Sequence, residues 1–139
     1  GEKCKLVFIG DGELRDEIEC IVNENELGDY VYFAGLTSDV PGYLSAMDCF
    51  ILPSHWECLP YVGVEAQAVG LPVLVSDQVS RELGLSESVK FLSLDAVNSW
   101  VDAILDVKFK RYPRAVELLR NSGYDVKNTA NVVRSLYFS

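Results

Sequence analysis

The chain has one histidine, His55, and no C-x-x-C pair among its four cysteines, Cys4, Cys20, Cys49 and Cys58. The cysteines stand 16, 29 and 9 residues apart, so neither a zinc motif nor a thioredoxin-like redox motif can be written on them. No stretch approaches the roughly 20 consecutive apolar residues that a membrane span requires, which predicts no direct membrane insertion. Positive charge is scarce: 12 Lys and Arg against 21 Asp and Glu leave a formal net charge of -9. Nucleic-acid backbones and anionic lipids repel such a surface, so neither is expected as a partner of this domain. A small anionic ligand stays open, because backbone amides at a helix start hold phosphate without a basic surface. The opening "GEKCKLVFIG" enters a strand pattern directly, without the pattern of a secretory signal. Cys4 and Cys49 lie in apolar runs, and the expectation is a reduced, cytoplasmic protein that buries them.

What is present is a core large enough for one domain. The 139 residues are 49% hydrophobic, and no linker, repeat or low-complexity tract divides them. "CKLVFIG" reads as a strand that ends at "GDG", and Leu14, Ile18, Ile21 and Val22 then recur at helical spacing. "YVYFAG" is a second strand, and "SDVPGYLSAM" a short helix capped by Ser38 or Asp39. "CFILPS" and "PVLVSD" are a third and a fourth strand, joined by a helix from about Pro60 to Val69 that Gly70 and Pro72 stop. "VKFLSL" offers one more edge strand. From about residue 96 to 139 the pattern becomes helical, with a break at Gly123. Strands and helices alternating with crossovers of this length predict an α/β fold, an open parallel sheet with right-handed connections and flanking helices.

In such a sheet, ligands bind where strands end and lead into helices. "ILPSHWECLPYV" is a loop of that kind. It carries Glu57, and Glu65 follows with seven residues between them. Pro60 suits a first helical position, which places Glu57 before a helix start and Glu65 in its second turn. The amides of Cys58, Leu59, Tyr61 and Val62 would surround the helix start, where the dipole favours an anion such as a diphosphate. Each carboxylate can accept two hydroxyl hydrogen bonds and so suits a sugar ring. Gly63, Ala66 and Gly70 share a face that would let the helix approach the sheet closely. A bare pair of glutamates at this interval also arises by chance, as a cap and a surface residue. "GDG" at Gly10 to Gly12 reads as a tight turn, since the third glycine of a dinucleotide fingerprint is lacking. His55 reads as a loop or packing residue. Cys58 has no visible base partner, so no catalytic role falls to it.

The set Pro53, Ser54, Glu57, Leu59, Pro60, Glu65, Ala66, Ala68, Gly70, Pro72, Val73 and Asp77 resembles the glutamate-x7-glutamate (E-x7-E) signature of retaining glycosyltransferases of the GT-B fold. More closely, it looks like the glycosyltransferase group 1 family, family four of the sequence classification. The resemblance runs from the strand-"GDG" opening through "VYFAGLTSDVPGYLSAMDCFILPS" to about residue 95 and is loose beyond. It implies a Rossmann-like nucleotide-sugar-binding domain over residues 1–139, the C-terminal half of a GT-B fold, in an enzyme of bacterial polysaccharide or glycoconjugate synthesis. It implies that Glu57 contacts hydroxyls of the transferred sugar and assists at the anomeric centre, and that Glu65 binds the ribose hydroxyls. It further implies that the backbone of Cys58, Leu59 and Tyr61 holds the sugar and distal phosphate, and that Leu36, after Gly35, lies against the nucleobase. The donor implied is a nucleotide sugar, most often UDP-linked, with no metal and no other cofactor.

Three departures stand out. Cys58 replaces the commoner glycine after the first glutamate and needs more room. The Arg and Lys that precede the first strand in this family have no counterpart in "GEKC". The amino-terminal acceptor-binding half is also missing, so the fragment alone is expected not to turn over, and any contact with the inner face of the membrane would come through that half. Two other classes fit less of the sequence. A receiver-type regulatory domain needs an acidic pocket at the first strand, an Asp at the third and a Lys at the fifth; Asp11 alone meets the first demand, "CFILPSH" offers no Asp after its strand, and no suitable Lys follows "PVLVSD". A non-catalytic or epimerase-like nucleotide-binding module would share the half-fold but would tolerate loss of Glu57.

Overall fold

The computed structural model describes residues 4–107 and 111–137. They fall into two units, residues 1–40 and 41–139. In the first, β1 (Leu6–Ile9) leads through α1 (Arg15–Glu24) to β2 (Val31–Gly35). The two strands pair in parallel with Leu6 opposite Val31 and Phe8 opposite Phe33, and the register slips so that Ile9 faces Gly35. The Phe8 and Phe33 rings stack with centroids 5.2 Å apart, and the Arg15 guanidinium lies 5.6 Å from the Phe33 centroid. Arg15 Nε donates to Glu19 at 2.8 Å, and that hydrogen bond holds the guanidinium more firmly in its charged form. Gly10 adopts φ +122° and donates its N–H to Gly35 at 2.9 Å, so the "GDG" stretch is the turn its glycines predicted.

The second unit carries most of α2 (Val40–Ala46), then β3 (Phe50–Leu52), α3 (Tyr61–Ala68), β4 (Val73–Ser76) and β5 (Val89–Leu92). Helices α4 (Val97–Asp106), α5 (Ala115–Leu119) and α6 (Val126–Tyr137) follow. Phe138, the last residue of the expected final helix, lies outside the described residues. The sheet order is β3-β4-β5, all parallel, and β4 in the middle is buried along its whole length. An uninterrupted Val-Leu-Val run is what a strand covered on both faces requires. Leu74, Leu92, Trp100 and Ala103 form a core cluster with Cys49, Ile51, Leu94 and Ile104 packed against it, and the Trp100 indole N–H donates to Ser93 at 2.9 Å.

The α/β reading with parallel strands and flanking helices therefore holds. Where one open sheet was expected, the described strands form two hydrogen-bonded sheets: β1 pairs with β2 alone and β3 with β4 alone. The "VKFLSL" edge strand is present as β5, and Gly123, at φ +90°, breaks the helical run after α5 as anticipated. Cys4 is a correction. It is exposed, because β1 begins two residues later and the apolar run that suggested burial belongs to the strand.

Helix α3 is fixed at its end and along one side. Its last turn closes with Gly70 N–H on Gln67 C=O at 2.9 Å and Leu71 N–H on Ala66 C=O at 3.0 Å, the paired bonds of a Schellman motif with Gly70 at φ +72°. A side chain at Gly70 would also stand 3.1 Å from the Tyr112 backbone. Arg111 adds a clasp, donating to the carbonyls of Val69 at 3.4 Å, Ser45 at 3.0 Å and Met47 at 2.5 Å. Gln67 is fully buried. Its amide donates to Gly63 C=O at 3.2 Å and Leu83 C=O at 2.9 Å, and its oxygen accepts from the Ser86 hydroxyl at 2.9 Å, which itself stands 2.7 Å from Ser88 Oγ. Gly63 and Gly70 were expected to bring α3 close to the sheet. Their closest approaches are instead to the Leu83 side chain, 3.0 Å from a Cβ built at Gly63, and to the Tyr112 backbone.

These contacts set three expectations. Gln67→Leu leaves the Leu83 carbonyl and the Ser86 hydroxyl without their buried partner and should cost about 1–3 kcal/mol, read as a lower urea midpoint at unchanged slope. Gly70→Ala adds left-handed strain and a backbone clash, and should cost at least about 1–2 kcal/mol by the same measurement. Burial, with a smaller contribution from Asp48, pushes the Cys49 thiol up to about 12. Native protein at neutral pH should therefore give up Cys4, Cys20 and Cys58 to a thiol reagent and withhold Cys49 until denaturant is added. Because the folded value lies above the unfolded one, the stability tied to the protonated Cys49 is whole below about pH 8.5 and is lost as pH rises toward 12.

Candidate functional site

Strand β3 ends at Leu52, and the chain then crosses the carboxyl edge of its sheet through residues 53–60 before entering α3. In the loop, His55, Trp56 and Cys58 are exposed, Glu57 and Leu59 are half-buried, and Pro60 is buried. Glu57 forms an isolated parallel bridge with Val79, and its carbonyl accepts the Ser80 N–H at 3.1 Å. The Ser80 hydroxyl in turn accepts the Glu82 N–H at 3.3 Å and caps the short 3-10 turn Arg81–Leu83. Glu57 is thus held by the segment that leaves β4, and the same segment is tied to α3 through Gln67.

Pro60 sits one position earlier than expected. It is the N-cap of α3, with φ -72° and ψ 109°, and Tyr61 is the first helical residue. Proline tolerates that extended conformation and has no side-chain group to cap with. The first amides of α3, at Tyr61 and Val62, consequently have no acceptor one turn back within the helix, and Gly63 N–H closes the first turn on Pro60 C=O at 2.9 Å. No acidic residue occupies the first turn of α3, so its positive dipole end meets no competing carboxylate from its own helix. An anionic group placed there would find amide donors and a favourable field.

Glu65 is in the second turn, exposed, and lines a groove of about 280 Å³ with Val64, Ala68, Val116, Leu119 and Tyr124. Opposite these, Arg120 stands 3.7 Å from Asp125, whose other carboxylate oxygen accepts the Lys127 and Asn128 amides at the start of α6. The structure therefore sets Glu57, Cys58, Leu59, Tyr61 and Glu65 along one loop and one helix of the second unit. Gly35 and Leu36 belong to the first, where Gly35 has φ +68° and Leu36 is 83% exposed at the end of β2. Among the described residues no group of three or more His, Cys, Asp or Glu side chains is arranged to hold a metal ion, and no helix is long and apolar enough to cross a membrane.

Gln67 and Arg111 were not anticipated from sequence. Gln67 left one trace, a polar residue on a helix otherwise built from small and apolar positions. Arg111 left none, because its acceptors are carbonyls 42 to 66 residues away.

The family model described as glycosyl transferases group 1 matches residues 1–93. The UDP-Gal:alpha-D-GlcNAc-diphosphoundecaprenol alpha-1,3-galactosyltransferase of Escherichia coli is 30% identical over 139 residues, covering 95% of this chain and 36% of that protein. The crystal structure of a mutant S. aureus TarM in complex with Fondaparinux, alpha-GlcNAc-glycerol and UDP superimposes with a TM-score of 0.81 at 19% identity, covering 97% of this chain and 29% of that one. The C-terminal domain of the LpcC protein of Francisella tularensis, a glycosyl transferase group 1 family protein, does so with a TM-score of 0.65 at 13% identity, covering 91% of this chain and 88% of that domain. The chain spans about a third of the length of the curated relatives that it matches over nearly its whole length. With 93 of its 139 residues inside the family match and the fold of the GT-B neighbours, the chain belongs to the glycosyl transferases group 1 family and is part of its C-terminal domain.

Proposed function

We propose that this chain is the donor-binding part of a retaining glycosyltransferase, which moves a hexosyl group from a UDP-sugar to a hydroxyl acceptor in bacterial polysaccharide or glycoconjugate synthesis. The observation that carries the reading is the exit of β3. There a half-buried carboxylate, Glu57, is held by a backbone bridge directly before a helix whose first amides are uncapped, and a second carboxylate, Glu65, follows one turn inside. The names of two similar proteins support the choice of donor: one carries UDP-Gal in its name and the other was crystallised with UDP. The first of these also names a diphosphate-linked lipid acceptor, and an acceptor of that kind would bring the reaction to the cytoplasmic face of a membrane.

The chemistry asked of these groups follows from charge. As the anomeric carbon leaves the diphosphate, the bonding electron pair goes to the departing oxygen, and positive charge develops on the sugar. The acceptor oxygen then bonds to that carbon on the face the diphosphate left, and its proton is released. Amides at the start of α3 answer the negative charge on the leaving group. Glu57 orients the sugar through its hydroxyls and answers the positive charge at the anomeric centre. Glu65 accepts the two ribose hydroxyls and fixes the nucleoside. Turnover needs the acceptor-binding part of the enzyme as well, so this segment by itself should bind donor and transfer nothing.

The test is a titration of the full-length protein with UDP, GDP, ADP and CMP, by calorimetry or amide shifts, in native and variant forms. UDP should bind best. Glu65→Ala should weaken it by roughly tenfold or more, the loss of charge-assisted hydrogen bonds to a diol. Glu57→Gln should keep UDP affinity within about twofold and lower kcat by about a hundredfold or more. Unchanged UDP affinity in Glu65→Ala would make that carboxylate an ordinary surface group, and near-native turnover in Glu57→Gln would remove its catalytic assignment.

A further inference from the structure

We infer that Gln67 is a positioning residue of the candidate site: its amide fixes the turn that holds Glu57, while Glu65 is held from the other end of α3. The inference rests on the reading of the β3–α3 loop as a sugar-transfer site and adds to it the group that sets the geometry of one of the two carboxylates. Gln67 is fully buried, and its side chain donates to two carbonyls and accepts from one hydroxyl. A leucine of similar size would fill that space with no polar group to satisfy, so the amide is not what packing alone requires. Hydrogen bonds are directional where apolar contacts are not, and the direction here runs out of the helix to the Leu83 carbonyl.

From Leu83 the contacts lead to Glu57 in two steps. The Leu83 carbonyl accepts both the Gln67 amide and the Leu85 N–H at 2.7 Å, so both of its lone pairs are engaged. Leu83 N–H closes the 3-10 turn on the Ser80 carbonyl at 3.1 Å, and Ser80 N–H donates to the Glu57 carbonyl. The Leu83 side chain, wholly buried, stands against Gly63, one turn before Gln67, where a Cβ would meet it at 3.0 Å. Helix and turn are thereby locked at two points, one steric and one polar. Glu65 depends on neither. It lies on α3 itself, whose far end is closed by Gly70 against the Tyr112 backbone and by the Arg111 clasp. Loss of the amide should therefore loosen Glu57 and spare Glu65. A misplacement of about 1 Å at a reacting centre can cost on the order of a hundredfold in rate.

The experiment compares full-length native protein with Gln67→Leu and with the milder Ser86→Ala, which removes the bond to the amide oxygen and keeps the two that the amide donates. Three quantities are read without denaturant: amide hydrogen exchange, UDP affinity, and release of UDP from UDP-glucose and UDP-galactose with water as the acceptor. In that release the anomeric C–O bond to the diphosphate breaks, the water oxygen bonds to the same carbon, and one proton is given up. In Gln67→Leu, exchange of the Ser80 amide should rise roughly tenfold relative to that of Val69 and Gly70, which report on α3. UDP affinity should hold within about twofold, and UDP release should fall by about tenfold or more. Ser86→Ala should move the same quantities in the same direction by less. If Gln67 only stabilises the core, all three amides quicken together and the rate per folded molecule is unchanged; that result overturns the inference. Faster Ser80 exchange with native UDP release overturns it as well. A loss of UDP affinity equal to the loss of rate overturns it by placing Gln67 behind the nucleotide. Native protein that binds no UDP removes the sugar-transfer reading, and the inference falls with it.

Discussion

Gln67 lies fully buried on α3 with an amide group that water cannot reach, and three elements of the second unit supply its partners. The Gly63 carbonyl lies one turn back on the same helix, the Leu83 carbonyl closes the 3-10 turn after β4, and the Ser86 hydroxyl precedes β5. A buried amide left half-satisfied costs more than its bonds contribute when made. Helix α3 can therefore rotate or slide only by giving up several bonds at once. Because Glu57 is bridged to Val79 and bonded to Ser80, the segment that holds Gln67 also holds the loop before α3. The two carboxylates of the candidate site are consequently positioned by one connecting segment, residues 77–88, which contributes none of the proposed site residues.

The division of labour along α3 follows from this anchoring. One flank carries Gly63 and Gln67 and faces the Leu83 turn. The closing turn carries Gly70 and is sealed by the Tyr112 backbone and the Arg111 guanidinium. Those contacts leave the helix start and the side that bears Glu65 turned to solvent. Short side chains where other elements press in, and polar ones where the helix is open, are what a ligand-facing helix of a parallel sheet needs. The family match and the structural neighbours agree with the α/β architecture to which this helix belongs.

Much of this was legible in the residues because it is local. The run Phe50 to Leu52, the Gly70-Pro72 stop and the Val73 to Ser76 strand announce themselves by hydrophobic pattern and by two residues with restricted backbones. Gly10 marked its turn in the same way, through a φ that other residues avoid. What sequence did not reveal are contacts whose partners are distant in the chain. Gln67 meets Ser86 19 residues on, and Arg111 reaches carbonyls as far back as Ser45. Cys4 is exposed for a related reason: an apolar neighbourhood in sequence says nothing about where the first strand pair begins. Pro60 was placed within one residue, which is the limit of a rule that prefers proline near a helix start without distinguishing cap from first turn.

The bridge between Glu57 and Val79 also bears on how such sites change over evolutionary time. A loop that borrows its backbone geometry from a second loop cannot be exchanged alone, since the incoming residues would meet a mismatched partner. Residues 57–88 are therefore tied together, with candidate site residues at one end and the segment that holds them at the other. An engineer who wishes to transplant this loop and helix between two relatives should move the whole stretch, the supporting segment included.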